Sequence, residues 1–192
     1  IMRFFLRADP QWCFASVTVD GRDATPADVR RGQEPYTVAG DTIRAEYQFP
    51  GNISFRWSSV KGSPEWNQNY VFQDKKLSKW GFEIFGTKRI LTFQESVGAF
   101  VLDAPFLALM DSRLAWKPLD AVRKYTKPET LTHPIRDLIH AIETDTQPHC
   151  SGEDARWAVE MVCAVYHSHK AQARVPFPLK DREHPLRDWK DG

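Results

Sequence analysis

The hydrophobic period of the chain changes once, near residue 130, and that change sets the fold class. Before it, 12–19 (WCFASVTV), 42–49 (TIRAEYQF) and 53–60 (ISFRWSSV) are rich in β-branched and aromatic residues. The third alternates Ile53, Phe55 and Trp57 against Ser54, Arg56 and Ser58, the period of a strand with one buried face. Phe49-Pro50-Gly51-Asn52 combines a fixed φ with tolerance of positive φ, which predicts a hairpin. Shorter strands are expected at 69–73, 80–85, 89–94 and 98–102, with Gly86-Thr87-Lys88 turning the middle pair. After the change, Ile135, Leu138, Ile139 and Ile142 recur at helical spacing, with Thr132 as cap and Pro134 in the first turn. Ser151 and Asp154 then form a capping box ahead of a second apolar stripe, Ala158, Met161, Val162 and Val165.

No helix-length crossover separates the strands, so the sheet is expected to be large, open and mainly antiparallel. Helices that follow the strands give an α+β architecture with the helices packed on one face. At 192 residues the chain suits a single domain over 1–192. A sheet with Phe and Trp on both sides and helices on one predicts a partner for the other face, a second copy or a missing domain. Residues 20–40 show no apolar periodicity and are expected to form a long mobile loop. A short helix from Thr25, with Pro26 at its first position, fits inside it. The polar tail 180–192 is expected to be anchored by Trp189.

Composition narrows the function classes. The net charge is +1 and basic residues are interspersed with acidic ones, so no field for nucleic acid arises; Lys75, Lys76 and Lys79 beside Asp74 read as a solvated loop. No apolar run reaches the roughly 18 to 20 residues of a membrane span, and the N-terminal segment is too short for a signal peptide. The chain reads as soluble and cytoplasmic. Cys13, Cys150 and Cys163 form no CxxC pair, and the histidines show no HExxH spacing; His167 and His169 point about 200° apart on a helix, so no metal site is expected. The segment PEWNQNYVFQ places Trp66, Asn67, Gln68, Asn69 and Tyr70 together, aromatic faces and amides suited to a sugar. Its plain alternative is a surface turn leading into a strand. Arg3 is a further candidate contact, with a structural ion pair as its alternative. Glu83 and Asp103 supply carboxylates for a hydrolytic reading but form no paired motif.

The run HPIRDLIHAIETDTQPHCSGEDARWAVEMVCAVYHSHKAQARVPFPL resembles the C-terminal signature of the glucose-fructose oxidoreductase, inositol dehydrogenase and MocA (Gfo/Idh/MocA) family. The resemblance rests on Pro148, Ser151 to Ala155, Tyr166-His167-Ser168 and Val175 to Leu179. FEIFGTKRILTF is similar to the family's strand-turn-strand, with Arg89 in place of a glycine. IMRFFLRADP resembles the end of its interdomain helix, with Arg7 where glycine is usual, so 1–8 is expected to be the tail of that helix. The resemblance implies a fold like the C-terminal domains of dihydrodipicolinate reductase and glyceraldehyde-phosphate dehydrogenase. It also implies a parent oxidoreductase whose N-terminal Rossmann domain holds NAD or NADP and which acts on a sugar or polyol-like alcohol. This chain would be its substrate-binding and oligomerisation domain, a homo-oligomer through the open sheet face, with Arg3, Trp66, Asn67, Asn69 and Tyr70 as substrate contacts. The family's catalytic Lys and His have no counterparts here, so no catalytic residue is expected. No glycine-rich strand-turn-helix fingerprint occurs either, so the chain by itself is expected to hold no cofactor and not to catalyse alone. Ile1 ahead of Met2 fits a piece of a longer protein. The rival reading is a free-standing, non-enzymatic α+β binding or dimerisation module.

Overall fold

The computed structural model describes residues 1–31, 37–60, 81–94, 98–105, 114–119, 127–187 and 189. In chain order the elements are α1 (Met2–Leu6), β1 (Trp12–Val19), β2 (Arg22–Asp23), a 3-10 turn (Pro26–Asp28), β3 (Arg30–Arg31), β4 (Thr37–Val38), β5 (Thr42–Phe49) and β6 (Ile53–Val60). There follow β7 (Gly81–Phe85), β8 (Ile90–Gln94), β9 (Gly98–Leu102), β10 (Lys117–Pro118), α2 (Lys127–Thr144), α3 (Gly152–Ala171) and β11 (Val175–Pro176). The fold is α+β with antiparallel pairing throughout the described ladders. The expected strand at 69–73 lies outside the described residues.

The chain divides into two compact units, 1–61 with 137–192, and 62–136. In the first, the strand order is β11-β1-β5-β6, with β2 folded back on β1. The β5–β6 hairpin pairs Phe49 with Ile53, and Gly51 (φ +75°) and Asn52 (φ +58°) take the left-handed turn positions that the sequence provides for. Cys13, Ala15 and Val17 of β1 alternate into the core beside Ala45, Tyr47 and Phe49 of β5, and Ala164 and Val165 of α3 belong to the same cluster. In the second unit the order is β10-β9-β8-β7. Ile90 and Leu102 are buried there with Ala104, and Phe82 and Phe93 stack at 5.4 Å.

The edge of β1 determines how α3 docks. β11 pairs with Trp12 and Cys13, and β2 with Thr18 and Val19. Between them the Ala15 N–H donates to Ser168 Oγ (2.9 Å) and the Val17 N–H to His169 Nδ1 (3.3 Å). His169 Nε2 lies 2.9 Å from the Ala24 carbonyl; with Nδ1 accepting, Nε2 carries the proton and donates. The Ser168 hydroxyl in turn donates to the Ala173 carbonyl at 2.7 Å. Two side chains of α3 thus serve buried backbone groups that a neighbouring strand would otherwise pair.

This changes the expected helix face. The buried side of α3 is Trp157, Glu160, Ala164, Val165, Tyr166, Ser168 and His169, whereas Ala158 and Val162 of the expected stripe are exposed. The apolar count turned the helix too far because three of its inward residues are polar and hydrogen-bonded.

α2 also differs from expectation. It begins at Lys127, so Thr132 is no cap and Pro134 lies inside the helix. Of its apolar residues Ala141 is buried, while Leu131, Ile135, Leu138, Ile139 and Ile142 are exposed; the expected packing of that stripe on the sheet is not what the helix does. Asp137 fastens the turn after it, accepting from the His149 backbone N–H at 2.8 Å and pairing with its ring at 2.6 Å.

The described parts of 20–40 carry structure of their own. Asp28 accepts from the Thr25 N–H and hydroxyl, and both its oxygens accept from Arg22. This polar closure leaves no apolar period to read. In the tail, Trp189 packs on the core as expected, edge-on to His169 at 5.8 Å.

Ser168→Ala removes a buried acceptor and a buried donor at once and is expected to cost about 2 kcal/mol in urea unfolding. A change below about 0.5 kcal/mol, the range of ordinary surface substitutions, would contradict the assigned role.

Candidate functional site

Arg3 is the candidate contact residue that falls within the described part of the chain. It sits on α1, a single turn closed by Arg7 in the left-handed conformation (φ 48°, ψ 40°), at the position where the family resemblance expects glycine. Its Nε donates to Asp9 Oδ1 and its Nη1 to Asp154 Oδ1, each at 2.7 Å. The guanidinium stands 5.3 Å from the Trp157 ring centroid, and that of Arg156 lies 4.9 Å from the same ring. Phe177 meets Trp157 at 5.8 Å.

The start of α3 builds this cluster. Ser151 Oγ accepts from the Asp154 N–H (3.2 Å), and Asp154 Oδ2 accepts from the Ser151 N–H (3.0 Å) and hydroxyl (2.7 Å). That is the expected capping box, and it leaves Asp154 Oδ1 to Arg3. The Ser151 hydroxyl, then its backbone N–H, then Arg3 hold the Asp154 carboxyl down at about 2. Arg156 pairs with Glu153 and Glu160. Glu160 is buried and also accepts the Leu179 N–H at 2.5 Å, which ties the chain after β11 to the helix. The chemistry of this cluster is positional: its carboxylates are matched to guanidinium groups, which fixes α1 against the N-terminal turn of α3.

A second feature lies on the outer face of β1, β5 and β6. An open cavity of about 350 Å³ is lined by Phe14, Ser16, Arg44, Glu46, Arg56 and Ser58, among others. Phe14 is 46% exposed, and Arg56 Nε approaches Glu46 at 3.4 Å. The register places Gln48, Ser54 and Thr18 on this same face. The face expected to be aromatic is therefore mainly polar around Trp12 and Phe14. Phe55 and Trp57 alternate to the side of Tyr47 and Ala45, and Phe55 stacks on Tyr47 at 5.9 Å.

Trp66, Asn67, Asn69 and Tyr70 lie outside the described residues. Asp103 pairs with Lys117 (3.1 Å) and Arg89 (2.8 Å), and the Lys117 hydrogen bond leads in lowering its carboxyl below the ordinary value. His167 and His169 diverge on α3. His169 serves β1, while His167 Nε2 is buried without a partner among the described residues, and burial lowers its pKa. Burial likewise pushes the Cys13 thiol up to about 12. Sequence reasoning missed Trp157 and Glu160. The i,i+4 spacing of Arg156 and Glu160 was the available signal, but both flank the stripe that apolar counting chose.

Comparison with solved structures places this arrangement. The chain superposes on aldose-aldose oxidoreductase from Caulobacter crescentus in complex with glycerol, at TM-score 0.59 and 13% identity, over 92% of this chain and 44% of that one. The values for an oxidoreductase domain protein from Kribbella flavida are TM-score 0.62, 16% identity, 92% and 47%. For levoglucosan dehydrogenase in complex with NADH and levoglucosan they are 0.62, 15%, 92% and 47%. The fold is that of the C-terminal domain of Gfo/Idh/MocA-type oxidoreductases. The chain spans about half the length of the structures it matches. No protein-family model matches the chain, and no curated protein matches its sequence. No described helix is long and apolar enough to cross a membrane.

In this oxidoreductase fold the capping box and Arg3 favour the ionised form of Asp154. Its contribution to stability is present above the ordinary value of 3.8 and is lost as pH falls through about 2. Asp154→Asn is expected to flatten the acid limb of the thermal midpoint across that interval. Equal slopes in the variant and the original chain would contradict the pairing.

Proposed function

We propose that this chain is the substrate-binding and oligomerisation domain of an NAD(P)-dependent oxidoreductase acting on a sugar or polyol-like alcohol. The cofactor would sit on an N-terminal Rossmann domain of the longer protein. The observation that carries this reading is the fold match, which takes in 92% of this chain but 44–47% of the neighbouring oxidoreductases. Their bound ligands support the substrate class: glycerol in aldose-aldose oxidoreductase, and levoglucosan or L-sorbose in two complexes of levoglucosan dehydrogenase. Complexes with NADH among them support the cofactor.

In such a reaction the alcohol carbon gives a hydride to nicotinamide while its hydroxyl proton passes to a base. This chain would supply neither group. Its part is to hold the alcohol at a fixed place relative to the cofactor, where orientation supplies much of the rate. Arg3, Trp66, Asn67, Asn69 and Tyr70 are the proposed substrate contacts. The ion pairs with Asp9 and Asp154 hold Arg3 in place. The outer sheet face is the proposed contact with a second copy, where Glu46 and Arg56 can pair across a two-fold axis. The setting of this activity is the cytoplasm.

NADH formation from a panel of sugars and polyols tests the reading. Saturable turnover is expected from the longer protein and none from this chain by itself. Turnover by this chain alone would overturn the division of labour. A longer protein inert with every alcohol and both nucleotides would leave the non-enzymatic dimerisation module.

A further inference from the structure

The chain after β11 returns along one face of α3, and His167 lies in its path. Glu160 stands seven positions before His167 and Lys170 three after it, so the three side chains share a face of the helix. Glu160 accepts the Leu179 N–H at 2.5 Å, and Lys170 donates to the Pro185 carbonyl at 2.7 Å. The segment 179–185 therefore runs past His167, between its two anchors. Beyond them Leu186 is buried and Trp189 joins the core. The turn that brings Leu186 inward is built on His184: its Nδ1 accepts from the Leu186 N–H at 3.3 Å, and its carbonyl from the Arg187 N–H at 2.9 Å.

We propose that residues 180–187, with Trp189, form a latch on α3 that acid releases through His167 and His184. The charged ring of His167 carries an N–H at Nε2 whichever tautomer it starts from. That atom is buried with no partner among the described residues, and a buried charged donor without an acceptor is costly. The charged groups that act on the ring are Lys170 from its own helix and Asp181 and His184 from the tail. The other tail charges are engaged elsewhere: Arg187 pairs with Glu183 at 2.7 Å, and Arg182 faces Glu160 at 3.9 Å. Burial leads in holding His167 below its ordinary value of 6.5; Asp181 opposes the shift, while Lys170 and His184 add to it. His184 acts in the same direction by a different route, since a proton on its Nδ1 takes away the acceptor of the Leu186 N–H. Because the His167 ring charges more readily with the tail away, the docked state keeps its full stability above 6.5 and loses it as the pH falls through and below that value.

The test is amide hydrogen exchange of the full chain at about pH 7.5 and about pH 5.5, each corrected for the intrinsic exchange rate. The Leu186 and Arg187 amides should lose protection several-fold at the lower pH, while those of Ala15 and Val17 in β1 keep theirs. In His167→Gln this acid loss should shrink, and with His184→Gln added it should vanish to within about twofold. A purely structural role for His167 would instead lower protection by the same factor at both pH values. If His167→Gln does not fold, His184→Gln alone should shrink the acid loss at Arg187. The proposal is overturned if the tail amides keep their protection at the lower pH, or if the β1 amides fall together with them. It is also overturned if a folded His167→Gln variant, or His184→Gln in its place, retains the whole acid loss.

Discussion

The two backbone N–H groups on the edge of β1, those of Ala15 and Val17, govern the rest of the first unit. Their residues are buried, and a buried donor left unmatched costs about 1–3 kcal/mol. Ser168 and His169 answer them, and that choice fixes the rotation of α3. With those residues turned inward, Trp157 and Glu160 also face inward, and Val159 and Val162 face out. Glu160 then receives the Leu179 N–H, and Trp157 receives the guanidinium groups of Arg3 and Arg156. The segment RVPFPL is held from three sides: Val175 pairs with Cys13, the Phe177 N–H donates to the Gln11 carbonyl, and Leu179 is bound by Glu160.

Much of this was legible in the sequence. The strands at 12–19, 42–49 and 53–60 have the bounds that alternation predicts, because two-residue periodicity and a Pro-Gly-Asn turn give sharp ends. The capping box at Ser151 and the Trp189 anchor were equally readable, since each is a local signal or a lone large ring in a polar tail. The rotation of α3 was not. Counting apolar residues assumes that polar ones face water, and Glu160, Ser168 and His169 are buried precisely matched to backbone donors and acceptors far along the chain. The interior position of Pro134 was hidden for a related reason: proline near the start of an apolar stripe is ordinarily a first-turn residue.

The candidate site divides in the same way. Arg3 was legible as a candidate contact with an ion pair as its alternative, but its partner Asp154 lies 151 residues away, and nothing local announces such a pair. The structure gives Arg3 a mechanical role through these partners: ion pairs anchored by a capping box hold its guanidinium firmly. The outer face of β1, β5 and β6 is mainly polar, whereas the exposed stripe of α2 is apolar.

The central claim is that the nucleotide is held on a part of the longer protein other than this domain. Titration of this chain with NADH, followed by nicotinamide fluorescence, tests it most directly. The account predicts no saturable change up to millimolar nucleotide, on the order of the weakest specific affinities. Saturation in the micromolar range would contradict it and place a nucleotide site within these 192 residues.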